Sequence, residues 1–382
     1  MTELNVEFRL YFDNNPITPE QLERVERITV EQEIDMMWEA SIHLPLHVDE
    51  QGNWEDDDEA FMQPFIRARI EVRIGNGSFV PLIDGPIIGY ESRLSSEPGE
   101  STMILNVHDD SISLNQEDRI TRFEDQTDGD IATEVFRSFG ETIQSTDVET
   151  TPASGSALTA DVFQRGTAMH FLRSLARRQG MHAYVLPGDQ PGQSIGVFRP
   201  LPTQTDGLSP LLVLGQERNI EEFSLRFNAL RPSRVSASTL RITDQEIVSS
   251  EIGYDDLDTL GDSSLLQSSS DLAGVILPPQ QGESVDIDQA TQARATSSSF
   301  AVFGAGRTRE DHYPDVLSPY RIVTLQGGNS PVSGDYLITS VTHALSRNSY
   351  IQTFKLSRNA RTDNASGSLG SAASGAPGRG VF

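Results

Sequence analysis

Apolar and polar residues alternate along much of this chain. The alternation is most regular in 66–74, where five apolar residues share one side and Arg67, Arg69, Glu71 and Arg73 share the other. This period of two predicts a strand with one buried face and one solvated face. Shorter runs of the same kind, separated by Gly, Pro, Ser and Thr, occur before residue 110 and after residue 200. They predict a mostly β protein.

Between these β regions the hydrophobic pattern changes to the period of a helix. In 128–140 the apolar residues fall on one helical face, with Asp130 as the expected N-cap and Gly140 as the stop signal. In 161–185 a second helix is predicted between two strands, with Thr167 as its N-cap and Gly180 after its last turn. The face of this second helix opposite its apolar side is basic and carries Arg173, Arg177 and Arg178.

These patterns predict an α+β, mostly β fold with two tandem β-barrel-like domains and a small α/β insert between them. We expect the first barrel in 1–110, the insert in 111–200 and the second barrel in 201–360. The acidic, Ser-rich stretch 242–299 has weak periodicity, so we expect it to form long excursions from the second barrel. Residues 361–382 are rich in Gly, Ser and Ala and are expected to form a flexible tail.

Composition and charge narrow the functional classes. The chain has no cysteine, which excludes disulfides, thiolate metal sites and cysteine nucleophiles. No run approaches the roughly 18 apolar residues of a membrane span, and the first residues lack a signal-peptide pattern, so we expect assembly in the bacterial cytoplasm. The formal net charge of −27 argues against tight nucleic-acid binding, because phosphate contacts need clustered cations.

One catalytic motif stands in the sequence, the G-x-S-x-G of residues 192–196 with Ser194 in the nucleophile position. A nucleophile elbow needs a strand before it and a helix after it, whereas here a Pro/Gly turn precedes the motif and a strand-like IGVF run follows. The seven histidines show no metal-ligand spacing. We therefore expect no catalytic, cofactor or metal site. A hydrolase that uses Ser194 with one of the histidines, and a β-rich surface binding module, remain the alternatives.

Two segments, 162–185 and 319–359, together resemble the late control gene D family of phage tail hubs, which also forms the hub part of type VI secretion spike proteins. The first segment matches the family pattern Q-x-x-x-x-x-x-F-L-x-R-L-A-x-x-x-G at Gln164, Phe171, Leu172, Leu175, Ala176 and Gly180. Ser174 stands where the family often has Arg. The second segment matches around its closing hairpin at Tyr336, Val341, His343, Tyr350 and Phe354. Residues 84–92 are similar to the family's F-x-G-x-I strand, although Ile83 and Asp84 replace the usual aromatic residue.

The resemblance implies a non-enzymatic baseplate hub of a contractile phage tail or a related injection system. Such a hub is a homotrimer whose six similar barrels meet a hexameric tail tube, while its three-fold face meets a trimeric spike. We expect a separate spike protein, because nothing after Asn359 resembles a spike domain. Other baseplate proteins would surround the hub in the virion tail or injection particle. DNA or protein cargo would pass through its channel, whose wall we expect to be acidic. The candidate partner contacts are Arg173, Arg177 and Arg178.

Overall fold

The computed structural model describes most of the chain. The described residues are 5–49, 51–54, 59–97, 99–152, 161–240, 245–253, 256–261, 263–264, 273–277, 287–309, 312–328, 331–347 and 349–361. The predicted flexible tail lies outside them from residue 362 onward. Within this part of the chain the fold is α+β and mostly β, as predicted.

The first β unit contains seven strands and one short helix around its own hydrophobic core. The strands are β1 (Val6–Phe12), β2 (Asn15–Pro16), β3 (Arg27–Glu33), β4 (Glu39–Pro45), β5 (Arg67–Ile74), β6 (Val80–Arg93) and β7 (Thr102–His108). Helix α1 (Pro19–Arg24) begins at a capping box of Thr18 and Gln21. Alternate residues of the strands, among them Ile28, Ile42 and Leu105, are fully buried in this core.

The α/β insert follows and has a separate core. Its elements are β8 (Asp118–Phe123), α2 (Asp128–Arg137), β9 (Ile143–Val148), β10 (Val162–Thr167), α3 (Ala168–Arg178), β11 (Met181–Pro187) and β12 (Ser194–Pro200). Strands β8 and β10 form an antiparallel ribbon, and β11, β12 and β9 form a sheet in which β12 and β9 are parallel. Helix α2 packs on β9, and α3 packs on β10 and β11.

The start and stop signals of α3 act as predicted. The Thr167 hydroxyl accepts a hydrogen bond from the His170 backbone N–H, and Gly180 has a φ of 68°. The predicted N-cap of α2, Asp130, is wrong by three residues. Its N-cap is Thr127, whose backbone N–H donates to the Asp130 carboxylate in a capping box, so Asp130 lies inside the helix.

The second β unit contains the remaining strands and a helix. They are β13 (Leu211–Leu212), β14 (Ile220–Phe227), β15 (Ser233–Leu240), β16 (Ile247–Ile252), β17 (Ser263–Ser264), β18 (Ala273–Ile276), α4 (Ile287–Ser299), β19 (Val302–Thr308), β20 (Ile322–Gln326), β21 (Gly334–Ser346), β22 (Ser349–Arg358) and β23 (Ala360–Arg361). Helix α4 lies within the stretch expected to be irregular. It buries only small residues, such as Thr291, Ala295 and Ser299, and these give no amphipathic pattern in the sequence.

A continuous sheet joins the two β units. Strand β21 pairs antiparallel with β3 over 340–346, after pairing with β20 at its beginning. The tip of the β21–β22 hairpin reaches into the first unit, where Leu345 and Tyr350 are part of the first core. The second core is filled by side chains from the other end of the same hairpin, including Tyr336 and Phe354. The two units are therefore bound through backbone pairing and shared side-chain packing.

The expectation of a solvated polar face on β5 is wrong. Arg69 and Glu71 on that face are 1% and 6% exposed, although their neighbours in the alternation fill the core on the other side. The turn between β11 and β12 of the insert covers Arg69, and Glu71 is paired with Arg69. Alternation of apolar and polar residues shows that one face of a strand is buried. It cannot show that another part of the fold covers the polar face.

Candidate functional site

A buried ionic cluster holds the insert on the first β unit. We call Arg67, Arg69, Asp84, Asp110 and Ser194 the clamp. Arg67 donates Nη1 to Asp110 Oδ1 and Nη2 to Asp110 Oδ2, both at 2.8 Å, and also donates to Asp84 Oδ1 at 2.6 Å. Arg69, which faces Asp84 in the β5–β6 register, donates to Asp84 Oδ2 at 3.0 Å. These bidentate and shared contacts satisfy charges that would otherwise be costly to bury.

The turn of the insert completes the clamp with backbone groups. Arg69 donates Nη1 to the Gly188 carbonyl at 2.8 Å and Nη2 to the Asp189 carbonyl at 3.2 Å. The Gly192 backbone N–H donates to Asp84 Oδ2 at 2.9 Å. Burial alone would lower the pKa of Arg67, but the hydrogen bonds and charges of Asp110 and Asp84 raise it, so the cation persists. The clamp thus fixes one end of the insert by directed bonds.

Ser194 belongs to the clamp. It is 1% exposed and begins β12, so a strand and no helix follows the G-x-S-x-G motif. Its hydroxyl donates to Asp110 Oδ2 at 2.6 Å, and that carboxylate is already paired with Arg67. A nucleophilic serine needs an adjacent base and access to substrate. The geometry gives Ser194 a structural partner and gives a substrate no access.

A second junction joins the insert to both β units. Asp35, in the turn between β3 and β4, lies 2.8 Å from His182 Nδ1 of the insert. Its backbone N–H donates to the Tyr320 hydroxyl of the second unit at 2.8 Å. The Tyr320 ring stacks on Tyr184 of the insert, with centroids 3.7 Å apart and planes 3° apart. Asp35 and Tyr320 both have positive φ values near 60°, so tertiary contacts hold each in an uncommon conformation.

The three candidate partner-contact arginines occupy different environments. Arg178 is bound within the chain, because its Nε donates to the buried Asp128 carboxylate of α2 at 2.6 Å. Arg173 and Arg177 lie near Asp35. Burial would raise the pKa of Asp35, but its His182 hydrogen bond and the charges of His182, Arg173 and Arg177 lower the value. Arg177 is exposed and Arg173 is half-buried. A partner contact through this set stays a prediction.

A buried histidine links the two β units at the β3–β21 pairing. His343 lies 2.8 Å from the Tyr350 hydroxyl through Nδ1 and 3.2 Å from Gln32 Oε1 through Nε2. Because Gln32 Nε2 donates to the Leu82 carbonyl at 2.7 Å, its Oε1 is the acceptor, and His343 carries its proton on Nε2. Burial lowers the pKa of His343 to about 3, so the ring is neutral.

Sequence reasoning missed the clamp and the second junction. Their members lie far apart in the chain, as Asp35 and His182 or Arg69 and Gly188 do, and no local spacing records such pairs. The one sequence signal that pointed to the clamp was Asp84, because it stands in place of the aromatic residue of the family pattern. The matching residues of that pattern lie in cores instead: Phe171, Leu172, Leu175 and Ala176 in the insert and Tyr336, Val341 and Phe354 in the second unit.

No group of three or more His, Asp or Glu side chains in the described part of the chain is arranged to hold a metal ion. None of the helices in those residues has the length and hydrophobicity that a membrane-spanning helix requires.

Comparison with known sequences identifies the family. Residues 3–347 match the family model described as the Alg8 N-terminal domain. The chain belongs to this family. No curated protein matches this Alg8 N-terminal domain protein in sequence.

Solved structures with the same fold come from phage tails and secretion systems. A tail protein from Neisseria meningitidis MC58 has a TM-score of 0.60 at 14% identity, over 93% of this chain and 97% of its own. The 43 kDa tail protein of prophage MuSo2 from Shewanella oneidensis has a TM-score of 0.61 at 14% identity, over 93% and 99%. An E. coli type VI secretion component, described as similar to the T4 tail proteins gp27 and gp5, has a TM-score of 0.52 at 13% identity, over 93% and 76%. The resemblance to phage tail hubs is thus confirmed at the level of fold.

Proposed function

We propose that this Alg8 N-terminal domain protein is the structural baseplate hub of a contractile phage tail or related injection particle. In this role a homotrimer joins a hexameric tail tube to a separate trimeric spike, with other baseplate proteins around it. The observation that carries the proposal is the shared fold with two tail proteins along 97% and 99% of their own lengths. Nearly the whole of this chain takes part in that likeness.

The sheet topology supports a symmetry adaptor. Strands β6, β7, β4 and β3 form one antiparallel set of four, and β21, β22, β19 and β14 form another, joined at β3 and β21. Each copy therefore carries two similar halves side by side. Three copies would offer six halves to a hexameric tube and keep three-fold symmetry for a spike.

The polar face of this joined sheet is the natural wall for a channel, and its charges are nearly balanced. Cross-strand pairing and the ion pair of Glu221 with Arg307 put six acidic residues on it, Glu31, Glu33, Glu39, Glu91, Glu221 and Glu222, and five basic ones, Arg27, Arg93, Arg226, Arg307 and Lys355. Serine and threonine fill much of the rest. The acidic wall expected from the net charge is therefore not on this face. A nearly neutral, hydroxyl-rich wall would let DNA or protein cargo pass without binding tightly.

Solution mass tests the hub proposal. The purified chain, alone and mixed with a spike protein from the same particle, should give a trimer by sedimentation equilibrium or native mass spectrometry. A mass that stays monomeric over the full concentration range, with and without the spike, would refute the adaptor. Particles assembled in cells should contain the chain in their tails.

The hydrolase alternative has a weaker basis. The buried Ser194 hydroxyl donates to an ion-paired carboxylate, and the fold neighbours are described as tail and secretion components. We therefore propose a non-enzymatic role with no cofactor. The other alternative, a binding module displayed on a particle surface, is compatible with the same fold. It differs from the hub in its position, which would be away from the junction of tube and spike.

A further inference from the structure

The antiparallel ribbon of β8 and β10 in the insert has one buried face and one exposed face. Because side chains alternate along each strand, Phe123, Val162 and Gln164 share the inner face, and all three are buried. The Phe123 ring stacks on Phe171 of α3, with centroids 5.6 Å apart, so the inner face packs on the core of the insert. The ribbon is therefore held from one side, and its exposed side chains lie on the other.

The outer face of the ribbon carries two large apolar side chains. Ile120 is 86% exposed and Phe163 is 50% exposed. In the register of the ribbon, Ile120 faces Arg165. Phe163 faces Arg122, so the two apolar residues are diagonal neighbours that one partner can cover together. Single exposed apolar side chains are common, but here the strands bury Gln164 and expose Ile120 and Phe163. A reversed pattern of this kind is typical of an interaction surface.

The two arginines of the outer face differ in their partners. Arg122 Nε donates to Asp161 Oδ2 at 2.9 Å, and its Nη1 lies 2.8 Å from Glu124 Oε1. Arg165 is exposed and forms no ion pair with another described residue. This cation is free in a chain whose net charge is −27, so its guanidinium is available to a carboxylate of another molecule. The outer face therefore offers an apolar contact with a cation directly beside it.

We propose that the outer face of the β8–β10 ribbon docks a separate protein of the particle, through a segment that combines a large apolar side chain with a nearby carboxylate. The apolar side chain covers Ile120 and Phe163, and the carboxylate pairs with Arg165. This inference rests on the proposed hub function. In that proposal the two β units of each copy supply the six halves of the ring, which leaves the insert for proteins outside the ring. Because the core of the insert fixes the ribbon, docking on it requires little ordering of this chain.

A photo-activated cross-linker tests the contact in assembled particles. p-Benzoylphenylalanine in place of Phe163 keeps an aromatic ring at a half-exposed position, so the fold and the trimer should be unchanged. After irradiation, mass spectrometry of the particles should identify a peptide of a different protein joined to this residue, with Asp or Glu close to the point of attachment. The matched control carries the cross-linker at Ser145, an exposed residue of β9 in the same insert, and should not capture that protein.

Reversing one charge tests the chemistry of the partner. In the chain that carries the cross-linker at 163, Arg165→Glu should lower the yield of the cross-linked product about tenfold, because like charges would then meet at the contact. Arg137→Glu, at an exposed position of α2, should leave the yield unchanged. Equal yields from the two reversals would overturn the acidic partner.

Two further results would overturn the docking surface and leave the hub proposal standing. One is a trimer in its place in the tail that gives no cross-link from position 163. The other is a cross-link from that position to a second copy of this chain, which would make the ribbon a contact between subunits. A chain that stays monomeric with and without the spike, or that is absent from tails, would refute the hub proposal itself.

Discussion

Arg69 and Asp84 face each other across β5 and β6, joined by a 3.0 Å ion pair that is almost completely buried. The pair lies beneath the insert, and Arg69 also donates to two carbonyl groups of the insert's turn. A single side chain therefore balances two buried carboxylates and connects two parts of the fold.

Removing the charge of Arg69 should destabilise the protein strongly. Arg69→Met keeps much of the side-chain volume but removes the cation that pairs with Asp84 and Glu71. Breaking a buried ion pair in this way lowers the free energy of unfolding by about 3–5 kcal/mol. Urea unfolding would measure the loss. Arg73→Met, on the same strand, removes the partly exposed pair with Glu7 and should cost less than about 1 kcal/mol. Equal losses in the two variants would contradict the assigned role of Arg69.

Replacing Ser194 should affect stability and leave assembly intact. Ser194→Ala removes a hydrogen bond to the charged Asp110, a change worth about 1.5–3 kcal/mol, while Ser174→Ala on the surface of α3 should be nearly neutral. Thermal unfolding of both variants and particle counts by electron microscopy provide the readouts. Loss of a hydrolytic activity at unchanged stability would revive the enzyme alternative.

Acid should weaken the protein through His343. Its pKa is about 3 in the fold and about 6.5 in the unfolded chain, so the unfolded state binds the extra proton first as pH falls. Stability from this group is complete above pH 6.5 and declines by about 1.4 kcal/mol per pH unit below it, down to about pH 3. For His343→Gln, the free energy of unfolding plotted against pH should lack this part of the slope. The control His170→Gln, at an exposed position, should keep the slope of the unmodified protein. If the unmodified protein and both variants show the same slope, His343 titrates normally and the prediction is wrong.

Reversing the charges of Arg173 and Arg177 tests the predicted partner contact. The double change to Glu should impair particle assembly while far-UV circular dichroism stays native, because Arg178 and its bond to Asp128 are retained. Some loss of stability is expected, since Asp35 would gain like-charged neighbours. Arg137→Glu, at an exposed position of α2, is the control. Normal assembly of the double variant would show that this basic face has no essential partner.

The sequence predicted those parts of the fold whose signals are local. Helix α3 combines an apolar face, Thr167 at its start and Gly180 at its end within one short stretch, and each signal acts as expected. Helix α4 has no such pattern, because the side chains that it buries are the small ones of Thr, Ala and Ser. The order of β unit, α/β insert and β unit also followed from local periodicity, whereas the expectation of a trimeric hub came from the family resemblance.

The site residues were harder to predict from the sequence, because each of them contacts residues that are far away in the chain. Nothing in the alternation of polar and apolar residues along β5 shows that the insert covers the charged face of this strand. The alternation alone therefore predicts a solvated Arg69, which is buried in the structure. His343 was visible as part of the family pattern, but its neutral state follows from Gln32 and Tyr350, which only the folded sheet brings to it. Ser194 matched a catalytic motif, and its contact with Asp110 gives it a different role.

Cryo-electron microscopy of particles that contain this chain tests the central claim most directly. A hub of the proposed kind is present in three copies at the junction of tail tube and spike, with the two β units of each copy facing successive tube subunits. Density for this chain at any other position in the particle, or a copy number other than three at that junction, would contradict it.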